Sequence, residues 1–411
     1  MKTYLVGGAV RDALLGVTPK ERDWVVVGGT PKELLDLGYT QVGKDFPVFL
    51  HPESKEEYAL ARTERKAGHG YTGFTVYAAP DVTLEDDLIR RDLTINAIAQ
   101  DEAGDFIDPF DGQRDIENRV LRHISDAFAE DPLRVLRVAR FAARFAHLGF
   151  TVADETRELM RQLSSGDELS FIASERVWVE TEKALSEQTP QRYIEELRAC
   201  GALARLFPEV DALFRVPQRK DYHPEVDTGV HTLLVLEAAA RMRQDSRVAF
   251  AALTHDLGKG VTPEDVLPSH RGHEAAGLPL VEQLCDRIKV PNAHRKLALV
   301  VCEHHLNVHR AFELKPSTVL KLLESTGAFR EGNLFEEFLI ACKADSRGRT
   351  GFEDVEYTQA DFLAAARDAA AVVNAADVKT PEMEGKAIGE AITRERIARI
   401  RAVRSEGRWP N

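Results

Sequence analysis

The chain changes character near Leu84, and that change constrains its architecture more than any other feature. Before it lie short β-like runs, YLVGG, DWVVVG, FPVFL, EYALAR and FTVYA, cut apart by Gly, Pro and charged clusters. After it apolar residues recur at three- and four-residue spacing, as in EDPLRVLRVARFAARFAHL, where Pro132 suits a first helical turn after Asp131. The pattern predicts a mixed α/β head with a short helix over residues 9–15, then helix after helix to the end. At 411 residues the chain exceeds one ordinary domain. Joints are expected near Gly166, between Pro217 and Pro224, and near Gly332.

Apolar residues make up 44% and charged residues 29%, a balance that packs rather than one that stays disordered. Cys200, Cys285, Cys302 and Cys342 form no CxxC pair, which suits a reducing cytoplasm better than a disulfide framework or a thiolate zinc site. Arg11 and Asp12 interrupt the first apolar run too early for a signal peptide. No stretch approaches the roughly 20 apolar residues that span a bilayer, so no membrane is expected. The net charge of −13 weighs against a polyanionic partner when taken as a sum. Its distribution matters more, because arginines gather at Arg90, Arg91, Arg114, Arg119, Arg122, Arg134, Arg137, Arg140 and Arg144.

Gly7 and Gly8 fall between a strand and a helix, where bare backbone N–H groups can approach a triphosphate, and Arg11 lies about one turn on. Glu21 and Asp23 then flank Arg22 at the start of the VVV strand. Residues two apart on a strand share a face at about 6.6 Å, so the carboxylates repel by roughly 2.5 kcal/mol at an effective dielectric near 20. A Mg²⁺ ion removes that repulsion and fills its octahedron with phosphate oxygens and water.

The GG turn followed by [DE]x[DE] resembles the head of the DNA polymerase β nucleotidyltransferase superfamily, with Glu21 standing where the family usually has Asp. The resemblance implies a third carboxylate on a neighbouring strand, for which Glu57 is the candidate. LEDDLIRRDLTINAIA (residues 84–99) and EDPLRVLRVARF (residues 130–141), with LVGGAVRD and ARTERK, resemble motifs of class II CCA-adding enzymes and bacterial poly(A) polymerases over roughly residues 1–150.

Arg134, Arg137, Arg140 and Arg144 fall within about a 120° arc of one helix and are expected to present a basic face to a triphosphate or tRNA backbone. Asp131 and Arg134 project from neighbouring positions. A carboxylate accepts from an exocyclic amine and a guanidinium donates to a ring acceptor, so the pair admits C and A and mispairs with U and G. In the resembling family these two positions select the base, and the same carry-over places Gly8, Arg11, Arg91, Arg137 and Arg140 against the incoming nucleotide.

His231, the His255-Asp256 pair, and His270 and His273 in SHRGHE resemble the HD phosphohydrolase superfamily over about residues 227–329. Imidazole and carboxylate suit a divalent transition metal, for which the candidate alongside this resemblance is Ni²⁺. The last ligand is left among Asp345, His304 and His305.

These readings divide the chain into a nucleotidyltransferase head (1–120), a helical neck and body carrying the base-selecting helix (121–218), an α-helical HD domain (227–329) and a helical tail (330–411). The activity they imply is addition and repair of the 3′ CCA of tRNA from CTP and ATP. The HD module adds 2′,3′-cyclic phosphodiesterase, 2′-nucleotidase and phosphatase activity. Poly(A) polymerase is the nearest rival, and an HD nucleotidase with a nucleotide-binding head a more distant one. The expected state is a monomer, with homodimerisation left open.

Overall fold

The structure, a computed structural model, describes residues 1–19, 21–43, 48–66, 74–381 and 383–409. Phe46 and Pro47 of the expected FPVFL strand lie outside the described residues. Two compact units emerge, Met1–Ala184 with Arg192–Leu206, and Leu185–Gln191 with Phe207–Asn411.

The first unit opens with strands β1 (Lys2–Val6), β2 (Asp23–Val27), β3 (Thr40–Val42), β4 (Val48–Leu50), β5 (Glu57–Leu60), β6 (Thr63–Lys66), β7 (Phe74–Tyr77), β8 (Ala99–Gln100) and β9 (Phe106–Ile107). Among the described residues seven of them form one mixed sheet in the order β3-β4-β5-β2-β1-β8-β9, and β6 pairs with β7. β2 runs antiparallel to β1 and parallel to β5, setting Asp23 opposite Val6 on one side and Glu57 on the other.

Both faces of this sheet are covered, which is why VVV reads as a continuous apolar run rather than an alternating one. Val25 packs with Val6, Leu88 and Ala97 on one face. Val26 packs with Leu34, Phe49, Tyr58 and Leu60 on the other.

The helix Gly8–Leu14 follows β1 directly. The expectation of unbroken helix after Leu84 needs correction, because β8 and β9 complete the sheet and a further parallel pair, Val120–Leu121 with Thr151–Val152, precedes the later helices. Two-residue strands are too short to show a period of two. The helix Leu133–Phe145 buries Val135, Leu136, Val138 and Ala139, with Pro132 as its N-cap.

The second unit is helical. Asp227 accepts from the Val230 N–H to start Thr228–Met242, and Asp245 accepts from the Arg247 N–H to start Ser246–Thr254. The helices His273–Ile288, Asn292–His309 and Leu334–Arg347 follow. Val235, Ala239, Ala252, Val301, Phe338 and Leu363 belong to their shared core. No described helix is long and apolar enough to cross a membrane.

Candidate active sites

In the first unit, register partners on a parallel ladder lie on one face, so Asp23 and Glu57 point the same way from adjacent strands. The protein around Asp23 withholds enough water to push its carboxyl above the ordinary value; Arg91 pulls it down and Glu21 pushes it up. That balance describes acidic groups gathered beside one guanidinium, and it fits a bound divalent cation. Gly7 adopts φ +68°, and a Cβ there would meet Arg91 Nη1 at 2.8 Å. Both the turn and the close approach of Arg91 therefore need glycine.

Arg91 also donates to Asp87 Oδ2 at 3.1 Å. Arg11 is buried, and its Nε and Nη2 donate to Asp12 Oδ1 at 2.8 and 2.7 Å while its Nη1 donates to Asn96. Its guanidinium rests over the rings of Phe141 and Phe145.

The arginine helix is not the open basic face its own sequence suggests. Arg137 Nη2 meets Asp92 at 2.7 Å, Arg140 Nε meets Glu180 at 2.6 Å, and Arg144 Nη2 meets Asp12 at 2.9 Å. The neutralising acids arrive from other elements, which inspection of one helix cannot reveal. Burial pushes the Asp92 carboxyl up, but Arg137 and the Asn96 amide more than offset this and hold it far below the ordinary range.

Asp131 and Arg134 also face protein partners. Asp131 Oδ1 accepts from the Leu133 N–H at 3.1 Å and Oδ2 from Arg176 Nη2 at 2.9 Å. Arg134 donates to the carbonyls of Ala127 and Arg90. Nothing in the helix motif itself singled out Arg176 or Glu180, whereas Asp92 stands in the quoted segment LEDDLIRRDLTINAIA without having been matched to Arg137.

In the second unit His231 sits one turn into its helix, His255 ends the next, and Asp345 comes from Leu334–Arg347. The three are buried, with ligand atoms all within 4.8 Å of one another. His231 Nε2 lies 3.0 Å and His255 Nε2 3.6 Å from Asp345 Oδ1. A second such group joins Asp256 to His273 and His305, and a third joins His231 to His223 and Glu225. His304 instead faces Glu303 at 3.7 Å, and His270 bonds to Thr262 and the Pro217 carbonyl.

Burial lowers the His255 ring, but Asp256 and Asp345 prevail and raise it to about 10. His255 Nε2 and both Asp256 oxygens lack well-directed hydrogen bonds although they are buried. Such atoms fit a metal better than they fit one another. Lys259 Nζ approaches Asp256 Oδ2 at 2.6 Å and donates to Gln218 at 2.7 Å. His309 links Asp345, at 2.6 Å, to the Tyr357 hydroxyl, at 2.7 Å.

Gly258 carries the HDLGKG turn against the helix His273–Ile288, where a Cβ would collide with the His273 carbonyl and stand 2.7 Å from Gly277 N. A cavity of about 780 Å³ opens over the cluster, lined among others by Arg219, Lys259, Arg271, Arg310 and Arg349.

Comparison with known proteins agrees with this anatomy. Residues 3–122 match the family described as poly A polymerase head domain, and residues 149–214 the probable RNA and SrmB-binding site of polymerase A. Residues 228–347 match the HD domain, a span that includes Asp345. A multifunctional CCA protein from Thioalkalivibrio sulfidiphilus (strain HL-EbGR7) is 62% identical over 406 residues, 99% of each chain.

Among solved structures, the Thermotoga maritima CCA-adding enzyme complexed with tRNA CCA aligns over 100% of this chain and 88% of its own, with a TM-score of 0.64 and 18% identity. The Bacillus stearothermophilus CCA-adding enzyme in complex with CTP aligns over 97% and 89%, with a TM-score of 0.61 and 24% identity. At such identities these two speak for the fold, while the close relative speaks for kinship. The chain belongs to the family of multifunctional CCA proteins, CCA-adding nucleotidyltransferases that carry an HD domain.

Proposed function

We propose that the chain adds and repairs the 3′-terminal C, C and A of tRNA, taking CTP and ATP and releasing pyrophosphate. The observation that carries this reading is the ladder pair of Asp23 and Glu57, with Glu21 and Arg91 close enough to act on the Asp23 carboxyl. Glu21 and Asp23 would hold Mg²⁺, with Glu57 as the third carboxylate. When bound, that ion supplies charge neutralisation to the triphosphate and acidity to the attacking 3′-hydroxyl.

The chain's own groups do the rest. Gly8 lets the phosphates come close, and Arg91 and Arg137, only half-buried, reach the nucleotide. Arg11 and Arg140, already matched by Asp12 and Glu180, fix the floor on which it rests. Asp131 accepts from the amine of cytosine or adenine, and Arg134 donates to the adjacent ring acceptor once it releases the Arg90 and Ala127 carbonyls.

We further propose that the second unit is a metal-dependent phosphohydrolase acting on 2′,3′-cyclic phosphates, 2′-nucleotides and phosphomonoesters. The buried His231, His255, Asp256 and Asp345 atoms suit a divalent transition metal such as Ni²⁺. The basic lining of the cavity suits a phosphate ester, and its volume suits a nucleotide. We place the protein in the cytoplasm, where its four buried cysteines stay reduced, as a monomer able to pair.

The test is incubation with tRNA lacking CCA and labelled CTP and ATP, with and without EDTA. Both labels should enter, C before A, and EDTA should abolish incorporation. Incorporation of A alone would convict the poly(A) polymerase reading instead.

A further inference from the structure

Two tyrosines line the cavity of the second unit, and their surroundings are opposite. Tyr357 is buried, with its hydroxyl bonded to His309 at 2.7 Å. Tyr222 is 56% exposed. Among the described residues its hydroxyl makes no hydrogen bond and no other aromatic ring lies against it. Exposure alone marks nothing, since single apolar residues are common on protein surfaces. What sets this ring apart is that it is braced.

The N–H groups of Tyr222 and His223 both donate to the Arg219 carbonyl, at 3.1 and 3.0 Å. That turn folds the chain back, and the Arg219 guanidinium lies 4.9 Å from the centre of the Tyr222 ring. Asp221 Oδ2 tethers the guanidinium at 3.2 Å. Arg349 Nη1 donates to the Tyr222 carbonyl at 3.3 Å, and Arg349 Nε to the Ser346 carbonyl at 2.9 Å, which ties the turn to the helix Leu334–Arg347. A cation on one side of the ring holds it by cation–π attraction and leaves the other side open.

The place of Tyr222 along the chain sets its reach. His223 follows it, about 3.8 Å on along the backbone, and the His223 ring lies 4.6 Å from that of His231, centre to centre. Tyr222 therefore stands one residue outside the buried cluster, at the exposed end of a cavity whose lining also includes Asp256 and Asp345. Lys259, Arg271 and Arg310 line the same cavity and suit a phosphate, but none of them asks for a base. Only a ribose separates the phosphate of a nucleotide from its base. A phosphate drawn to the buried end brings the base to the exposed end, and every base has a π face to lay on an aromatic ring.

We infer that Tyr222, backed by Arg219, is a stacking platform for the base of a nucleoside phosphate, so that the second unit selects phosphate esters that carry a base. The inference rests on the proposed phosphohydrolase reading of this unit and adds a specificity-determining residue to it.

The test assays the full-length chain, supplied with Ni²⁺, against adenosine 2′-phosphate and against glycerol 2-phosphate, a secondary phosphomonoester without a base. Tyr222→Ala should raise KM for adenosine 2′-phosphate about tenfold or more, the scale of base–aromatic stacking, with kcat nearly unchanged. KM for glycerol 2-phosphate should not move, and Tyr222→Phe should keep the parent values for both esters. Circular dichroism confirms the fold, and Tyr222→Leu gives the same reading should Tyr222→Ala fail to fold. An unchanged KM for adenosine 2′-phosphate, or an equal rise for both esters, overturns the platform and leaves the phosphohydrolase reading standing. Hydrolysis of neither ester by the parent overturns both.

Discussion

Arg176 donates to Asp131 at 2.9 Å, so the carboxylate proposed to recognise C and A is itself held by a guanidinium from another helix. Arg176→Met should leave Mg²⁺ dependence intact but loosen base choice. Competition assays pairing CTP with UTP and ATP with GTP should show discrimination falling about tenfold or more, as expected when a partly buried polar pair loses its orientation. Discrimination equal to that of the parent would remove Arg176 from the selecting apparatus.

The two chemistries should separate by mutation. Asp23→Ala is expected to abolish CCA addition and spare phosphatase activity, and His255→Ala to do the reverse. Glu57→Gln should raise the Mg²⁺ concentration needed for half-maximal CTP incorporation by about 10- to 100-fold, the usual cost of disturbing a metal's carboxylate surroundings. An unshifted Mg²⁺ titration retires Glu57 as the third carboxylate.

His294 gives the second unit an acid sensitivity of its own. Burial lowers its ring, the charge of Arg247 lowers it further, and the result is about 4 against an ordinary 6.5. A depressed histidine stays neutral in the fold and takes a proton more readily when unfolded. Its contribution is therefore full above pH 6.5 and is lost progressively as pH falls toward 4. Guanidinium unfolding should show stability declining by on the order of 1–3 kcal/mol across that window, with the slope reduced in His294→Gln. Identical slopes would refute the assignment to His294.

Gly258 has no room for a methyl group, since the obstacle is the backbone of the helix His273–Ile288. Gly258→Ala should cost about 2 kcal/mol or more, the scale of overpacking in a tight core, and lower the thermal midpoint. Because the turn follows the His255-Asp256 pair directly, the variant should also bind Co²⁺ more weakly at the proposed metal site; wild-type affinity would mean the turn can shift without disturbing that pair.

What could be seen in the chain beforehand follows from distance along it. Glu21, Asp23, the GG turn and HDLGKG are local patterns, although the strand-spacing argument for the acidic pair needs correction, because β2 begins at Asp23 and Glu21 precedes it. The VVV run was legible as a strand, whereas the packing of both its faces came only with the structure. Asp345 was harder, because it meets His231 across 114 residues and nothing beside it in sequence says so. The arginine helix misled for a related cause. Reading Arg134 to Arg144 alone shows four cations, while Asp92, Glu180 and Asp12 answer three of them from elsewhere. Strands β8 and β9 escaped notice because two residues cannot display alternation.

The distance between His231 and Asp345 also bears on how the protein is made. During synthesis the ribosome delivers His231, His255 and Asp256 well before the carboxylate that completes the first group, so a nascent chain holds an unfinished ligand set until the helix Leu334–Arg347 emerges. A product broken off before that helix would carry His231, His255 and Asp256 and still lack the carboxylate of the proposed metal site. Under the proposed reading, full metal loading would report that translation has run past Asp345 and that the bundle has closed around it.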